Sequence, residues 1–339
     1  MKRMIFISLT AALFSVVLPV VLGILTPAER PKEEPSPVEI TPEISVVYTS
    51  PEAHGTEDGE VEVVVFIDGK AQKTDMHSYL VGVLAAEMPA SFELEALKAQ
   101  AVAARTFAVY KMKNGGSERH QNADVCTDIT CCQAYCDENE MREKWGAEFE
   151  SMLGRIESAV KGTDGDCAVY EGEPIFAAFH SSSCGKTETC AAVWGGEIPY
   201  LISVDTPENG DSVPNYTSRV SVSYDEFLKT VKERYPEAES GVEWVRDTVN
   251  DESGRLKSAV LCGVEVSGTE IRGMFSLRSA AMEISCDEYG VNFVTTGYGH
   301  GVGMSQYGAN TLAERGFVYG DIIAWYYPGT ELMSIKDLT

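Results

Sequence analysis

Glu87 stands in Leu84-Ala85-Ala86-Glu87-Met88-Pro89, a lone carboxylate among apolar neighbours where Met88-Pro89 interrupts a helical pattern. Desolvation there raises a carboxyl pKa, so the group can hold a proton near neutral pH and donate it to a leaving oxygen, such as that of a glycosidic bond. The local pattern leaves a second reading open, a solvated glutamate at a helix end or one capping the helix that follows.

Three other clusters carry chemistry. His120, Cys126, Cys131, Cys132 and Cys136 supply enough soft ligands for a tetrahedral Zn²⁺, although the spacing is not that of a zinc finger. Disulfides and free thiols stay open beside zinc, since the total of nine cysteines is odd. Adjacent Cys131 and Cys132 are poorly placed to bridge each other, and Cys184 and Cys190 can pair across Gly185-Lys186-Thr187-Glu188. His180 with Ser181-Ser182-Ser183 suggests a Ser/His hydrolase, but no acidic partner or nucleophile elbow accompanies it. The glycines at 297, 299, 301, 303 and 308 allow close backbone approach around His300, Gln306 and Tyr307, and no lysine follows to make a phosphate loop.

These residues need a frame. Val61 to Ile67 reads as a strand turned by Asp68-Gly69-Lys70, and helices are expected near Met76–Leu84 and Phe92–Met112. In the second helix Leu94, Leu97, Ala101, Ala104 and Ala108 form a core stripe. Further strands are expected over Cys167–Tyr170, Pro174–Phe179, Lys257–Val266 and Ala281–Cys286. Helices are expected near Tyr224–Tyr235 and Ser305–Arg315. The order of elements predicts a mixed α+β fold, with residues 213–290 as a smaller inserted α/β subdomain within a catalytic domain over 60–339. Ahead of it, Met4 to Leu25 is uncharged and apolar behind Lys2 and Arg3. That predicts a single transmembrane anchor over 1–26 with the rest outside, a cleaved signal peptide being the rival. Residues 27–59, rich in Pro and Glu, read as an extended tether. The formal charge of -25 argues against a nucleic-acid partner.

The run Glu87-Met88-Pro89 followed by Ala96-Leu97-Lys98-Ala99-Gln100-Ala101-Val102-Ala103-Ala104-Arg105-Thr106-Phe107-Ala108 resembles the signature of the stage II sporulation protein D (SpoIID) family. Phe179 to Gly185 and Gly297 to Ala309 resemble that family too, in the same order. The resemblance implies a membrane-anchored lytic transglycosylase that cuts between N-acetylmuramic acid and N-acetylglucosamine in peptide-free peptidoglycan strands, leaving a 1,6-anhydro end. It implies Glu87 as the single acid/base, and work on the mother-cell side of the septum during engulfment of the forespore. A SpoIIP-type amidase and a SpoIIM-type membrane protein are the implied partners. Substrate contacts are expected from Arg105, His180, Ser181, Ser182, His300, Gln306 and Tyr307, since hydroxyls, amides and neutral imidazoles suit sugar hydroxyls and acetamides. A structural zinc is expected on His120, Cys126, Cys131 and Cys132, where some members of the family carry a His-Cys pair in place of Cys131-Cys132. The alternatives are a non-catalytic glycan-binding subunit of the engulfment complex and a zinc-dependent wall hydrolase.

Overall fold

The computed structural model describes residues 57–240 and 243–338. The anchor expected over 1–26 and the tether up to residue 56 lie outside these; among the described residues no helix is long and apolar enough to cross a membrane. The fold is mixed α+β.

A short helix α1 (Glu57–Glu60) precedes the hairpin of β1 (Glu62–Ile67) and β2 (Lys70–Asp75). Asp68 and Gly69 turn it with φ of 50° and 78°, the left-handed pair that a two-residue hairpin loop requires. The tether therefore ends earlier than expected: Glu57 and Asp58 are buried against the domain, their N–H groups donating to the Asp164 carboxylate at 2.9 Å each.

Helix α2 (Met76–Glu87) starts on an Asp75 cap, which accepts from the Ser78 N–H at 2.8 Å. It stops because the ring of Pro89 forces Met88 into an extended conformation, φ -122° and ψ 147°. Helix α3 (Leu94–Lys113) follows. It is buried on nearly every side, with Ala99, Ala101, Ala103, Ala104 and Ala108 inaccessible. The expected stripe is thus only part of its contact surface, as befits a helix at the centre of a core.

Strand β3 (Val125–Cys126) lies parallel to β1, and helices α4 (Glu138–Trp145) and α5 (Phe149–Lys161) come next. Strand β4 (Asp166–Tyr170) pairs with β5 (Glu173–Pro174). The strand expected over Pro174–Phe179 does not form. Its middle lines a cleft, and pairing resumes only at β6 (Phe179–His180), ahead of the short α6 (Cys190–Trp194).

The inserted region comprises β7 (Thr217–Ser223), α7 (Tyr224–Arg234), β8 (Val245–Asn250), β9 (Leu256–Leu261), β10 (Val264–Ser267), α8 (Gly268–Met274), β11 (Met282–Cys286) and β12 (Gly290–Thr296). Two three-stranded sheets, β11-β12-β7 and β10-β9-β8, close over a core including Phe227, Leu261, Ile271, Phe275 and Phe293. The single strand expected over Lys257–Val266 is the hairpin β9-β10, turned at Cys262 and Gly263 with φ of 49° and 88°. Thr217 pairs with Thr296, so the chain enters and leaves side by side, past the expected end at 290.

Strand β13 (Met304–Ser305) runs parallel to β6. Helices α9 (Gln306–Glu314) and α10 (Tyr319–Tyr326) pack on α3, and β14 (Glu331–Ser334) closes onto β4.

Candidate functional site

Glu87 is the last residue of α2, where the negative end of the helix opposes a further negative charge. Its carboxyl is half-buried, and burial raises its pKa above the ordinary value. The opposing influences are smaller: the Ala134 N–H, the Gln306 side-chain amide and the charge of Lys144. The Ala134 N–H donates to Glu87 Oε1 at 2.7 Å, so the Cys-rich loop itself holds this carboxylate.

Glu87 lines a cleft of about 950 Å³ together with His180, Ser181, His300 and Gln306, so residues from all three matched stretches meet at one wall. The parallel pairing of β6 with β13 joins the second stretch to the third. At Gly303, φ 69°, a Cβ would come within 2.0 Å of the Ala178 carbonyl oxygen, so this approach needs glycine. Gln306 begins α9 behind its Ser305 cap, and its Nε2 also reaches Gln100 Oε1 at 3.5 Å. Burial holds His180 well below the ordinary imidazole value and pushes His300 down to about 4, with Arg272 adding to the shift of His300. Both rings are therefore neutral at pH 7.

Three expected contacts fall elsewhere. Arg105 is not at the cleft: its side chain is inaccessible and forked onto Asp58, Nε to Oδ1 at 2.7 Å and Nη2 to Oδ2 at 2.6 Å. Nη1 donates to the Asp166 carbonyl at 2.9 Å. Ser182 is buried behind the cleft wall, its backbone paired with Tyr298. Tyr307 sits one helical step round α9 from Gln306 and packs edge-on against Phe92, 4.9 Å between ring centroids.

The Sγ atoms of Cys126, Cys131 and Cys132 lie within 4.8 Å of one another and could hold a metal ion. The Cys131 to Cys132 separation is 3.7 Å, close to the edge, about 3.8 Å, of a tetrahedron with metal–sulfur bonds of about 2.3 Å. His120 does not join this group of three; its ring is stacked on Phe66, 3.7 Å between centroids and 7° from parallel. Cys131 and Cys132 also line the cleft. Cys184 and Cys190 are free thiols rather than a bridge, Cys184 donating to the Ser253 carbonyl.

The Ser/His pair that the structure does contain is His180 Nε2 to Ser183 Oγ, 2.9 Å. Ser183 is inaccessible, and His180 Nδ1 faces the Val302 carbonyl rather than a carboxylate, so the pair cannot act as a nucleophilic triad.

Several residues had no sequence signal. Glu208 is a buried carboxylate that accepts from the Ser183 N–H at 2.8 Å and from the hydroxyls of Ser305 and Thr206, tying the second stretch to the cap of α9. A Cβ at Gly308 would strike Glu208, Thr206 and Tyr326, which accounts for that glycine. Trp194 and Tyr298, each about half exposed, line the cleft, and Arg272 reaches it from the insertion.

Residues 69–170 match the family model described as Stage II sporulation protein. The chain is 34% identical over 344 residues to Stage II sporulation protein D of Bacillus amyloliquefaciens, covering 98% of this chain and 96% of that protein. It is also 34% identical to Stage II sporulation protein D of Bacillus subtilis, covering 91% and 90%. A protein called amidase enhancer from Bacillus subtilis is 30% identical over 75% of this chain and 40% of its own length. The matched stretches, their convergence on one cleft and near full-length similarity at this level show that the chain belongs to the stage II sporulation protein D family of sporulation proteins.

Proposed function

We propose that the protein is a peptidoglycan lytic transglycosylase acting during engulfment, with Glu87 as its only acid/base. The observation that carries this reading is a half-buried carboxyl of raised pKa at the wall of an aromatic-lined cleft. Among the described residues that line the cleft, the one other carboxylate is Glu118, which is largely exposed and paired with Lys111 at 3.2 Å. A single carboxyl suffices when the nucleophile belongs to the substrate. Glu87 protonates the glycosidic oxygen, then accepts the proton of the muramic acid 6-hydroxyl as that oxygen attacks C1. The neutral ring of His300 and the Ser181 hydroxyl hold sugar polar groups while Trp194 and Tyr298 pack against the sugars, and His180, both of whose nitrogens are bonded within the protein, keeps the wall in shape. Cleavage of peptide-free strands is expected to yield 1,6-anhydro ends, one water lighter than hydrolysed ends in mass spectra; hydrolysed ends alone would overturn the mechanism.

Cys126, Cys131 and Cys132 would hold a zinc ion, which supplies a rigid cross-link in their loop. The loop's own contribution is the Ala134 N–H on Glu87. Purified protein is expected to carry about one zinc per chain by elemental mass spectrometry, and Cys132→Ser to lose it along with thermal stability. Turnover per folded molecule that vanished on chelation, with stability unchanged, would favour the zinc hydrolase reading instead. The anchor and the SpoIIP- and SpoIIM-type partners are proposed on the family resemblance.

A further inference from the structure

The geometry points to Arg272 as the residue that recognises the free lactyl carboxylate of N-acetylmuramic acid, so that the inserted subdomain sets the enzyme's preference for peptide-free strands. This rests on the glycan-strand reading above.

Arg272 lies in α8 and is the cleft-lining side chain that the insertion contributes between β7 and β12. Its Nε is buried and has no hydrogen-bond partner. Burial lowers its pKa, and the group that favours its charge is the Tyr298 phenol rather than a carboxylate. The neutral rings of His180 and His300 also feel its charge, which places it at the wall those rings form. Arg105 is satisfied by Asp58 and Asp166; Arg255 also leaves its Nε unpaired, but its Nη1 and Nη2 are taken by the Lys186 carbonyl and the Ser183 hydroxyl, and it does not line the cleft. In a chain with 52 acidic residues, a half-buried guanidinium without a carboxylate is a fork for an anion from outside.

The cleft's proposed substrate carries one such anion. N-acetylglucosamine is uncharged, while muramic acid bears an ether-linked lactyl group that ends in a carboxylate when the stem peptide is absent and in an amide when it is present. A guanidinium can take the carboxylate through two parallel N–H donors; an amide offers it one carbonyl acceptor and no opposite charge. The same contact fixes which sugar occupies the subsite beside His300, and so the register of the strand over Glu87.

The test is binding, measured by titration calorimetry on Glu87→Gln protein so that nothing is consumed. Two ligands are compared, an alternating N-acetylglucosamine–N-acetylmuramic acid tetrasaccharide with free lactyl carboxylates and the same compound as lactyl methyl amides. The free acid is expected to bind about tenfold more tightly, the scale of a charge-assisted pair. Adding Arg272→Gln should abolish the difference by weakening the acid alone, and Arg272→Lys should restore part of it. An acid-to-amide ratio unchanged by Arg272→Gln overturns the proposal, and so does equal weakening of both ligands, which marks a structural role. No turnover is involved, so a failure of the transglycosylase reading, seen as full cleavage by Glu87→Gln, is recorded separately.

Discussion

Glu87→Gln is expected to lower kcat on peptide-free glycan strands by about a hundred- to ten-thousand-fold, the usual contribution of a positioned general acid. The fold should survive, since a glutamine carbonyl can accept the Ala134 N–H that the carboxylate accepts now. Stability should even rise slightly at neutral pH. A carboxyl whose folded pKa is raised binds its proton more tightly folded than unfolded, so its effect on stability worsens as pH rises through that range, and glutamine removes the penalty. Loss of turnover without loss of stability is a signature that a merely structural glutamate would not give. Wild-type kcat/KM should fall with rising pH along a limb above the ordinary carboxylate range, because the protonated form is the donor. Lys144, Tyr79 and Cys136 are the titratable neighbours whose charges Glu87 feels or influences. Unchanged release of anhydro products by Glu87→Gln would leave the protein a glycan-binding subunit.

The elements written in local chemistry could be read without a structure. Asp68-Gly69 dictates a hairpin turn, Asp75 and Ser305 cap helices, and Met88-Pro89 ends one, each through contacts made within a few residues. Helix α4 escaped notice because six of its eight residues are polar and exposed and Met141 alone is fully buried, leaving no periodic stripe. At the site, Glu87, His180, Ser181, His300 and Gln306 line one cleft. The misplacements share one cause: a partner far away in sequence wins the side chain. Phe66 takes His120, Phe92 takes Tyr307 and Asp58 takes Arg105. Glu208 had no signal for the same reason, since its bonds go to residues 183, 206 and 305.

Asp58→Asn is expected to destabilise the domain by about 3–5 kcal/mol, a fall in Tm on the order of 10 °C by calorimetry. Arg105 is inaccessible and its fork matches both Asp58 oxygens. Removing the carboxylate leaves a buried guanidinium facing an amide that can accept only one of its two bonds, and the cost is chiefly that of an unpaired charge. The partner lies 47 residues upstream, in a stretch whose composition reads as tether, so the change probes where the folded unit begins. Asp58→Asn combined with Arg105→Met should recover part of the loss, because two neutral groups no longer strand a charge. Turnover per folded molecule should stay near wild type in both variants. A large drop in kcat with unchanged Tm would instead return Arg105 to the substrate, against its burial. Cooperative loss of Tm would show that α1, clamped by Asp164 from one side and Arg105 from the other, is part of the folded unit rather than the end of its tether.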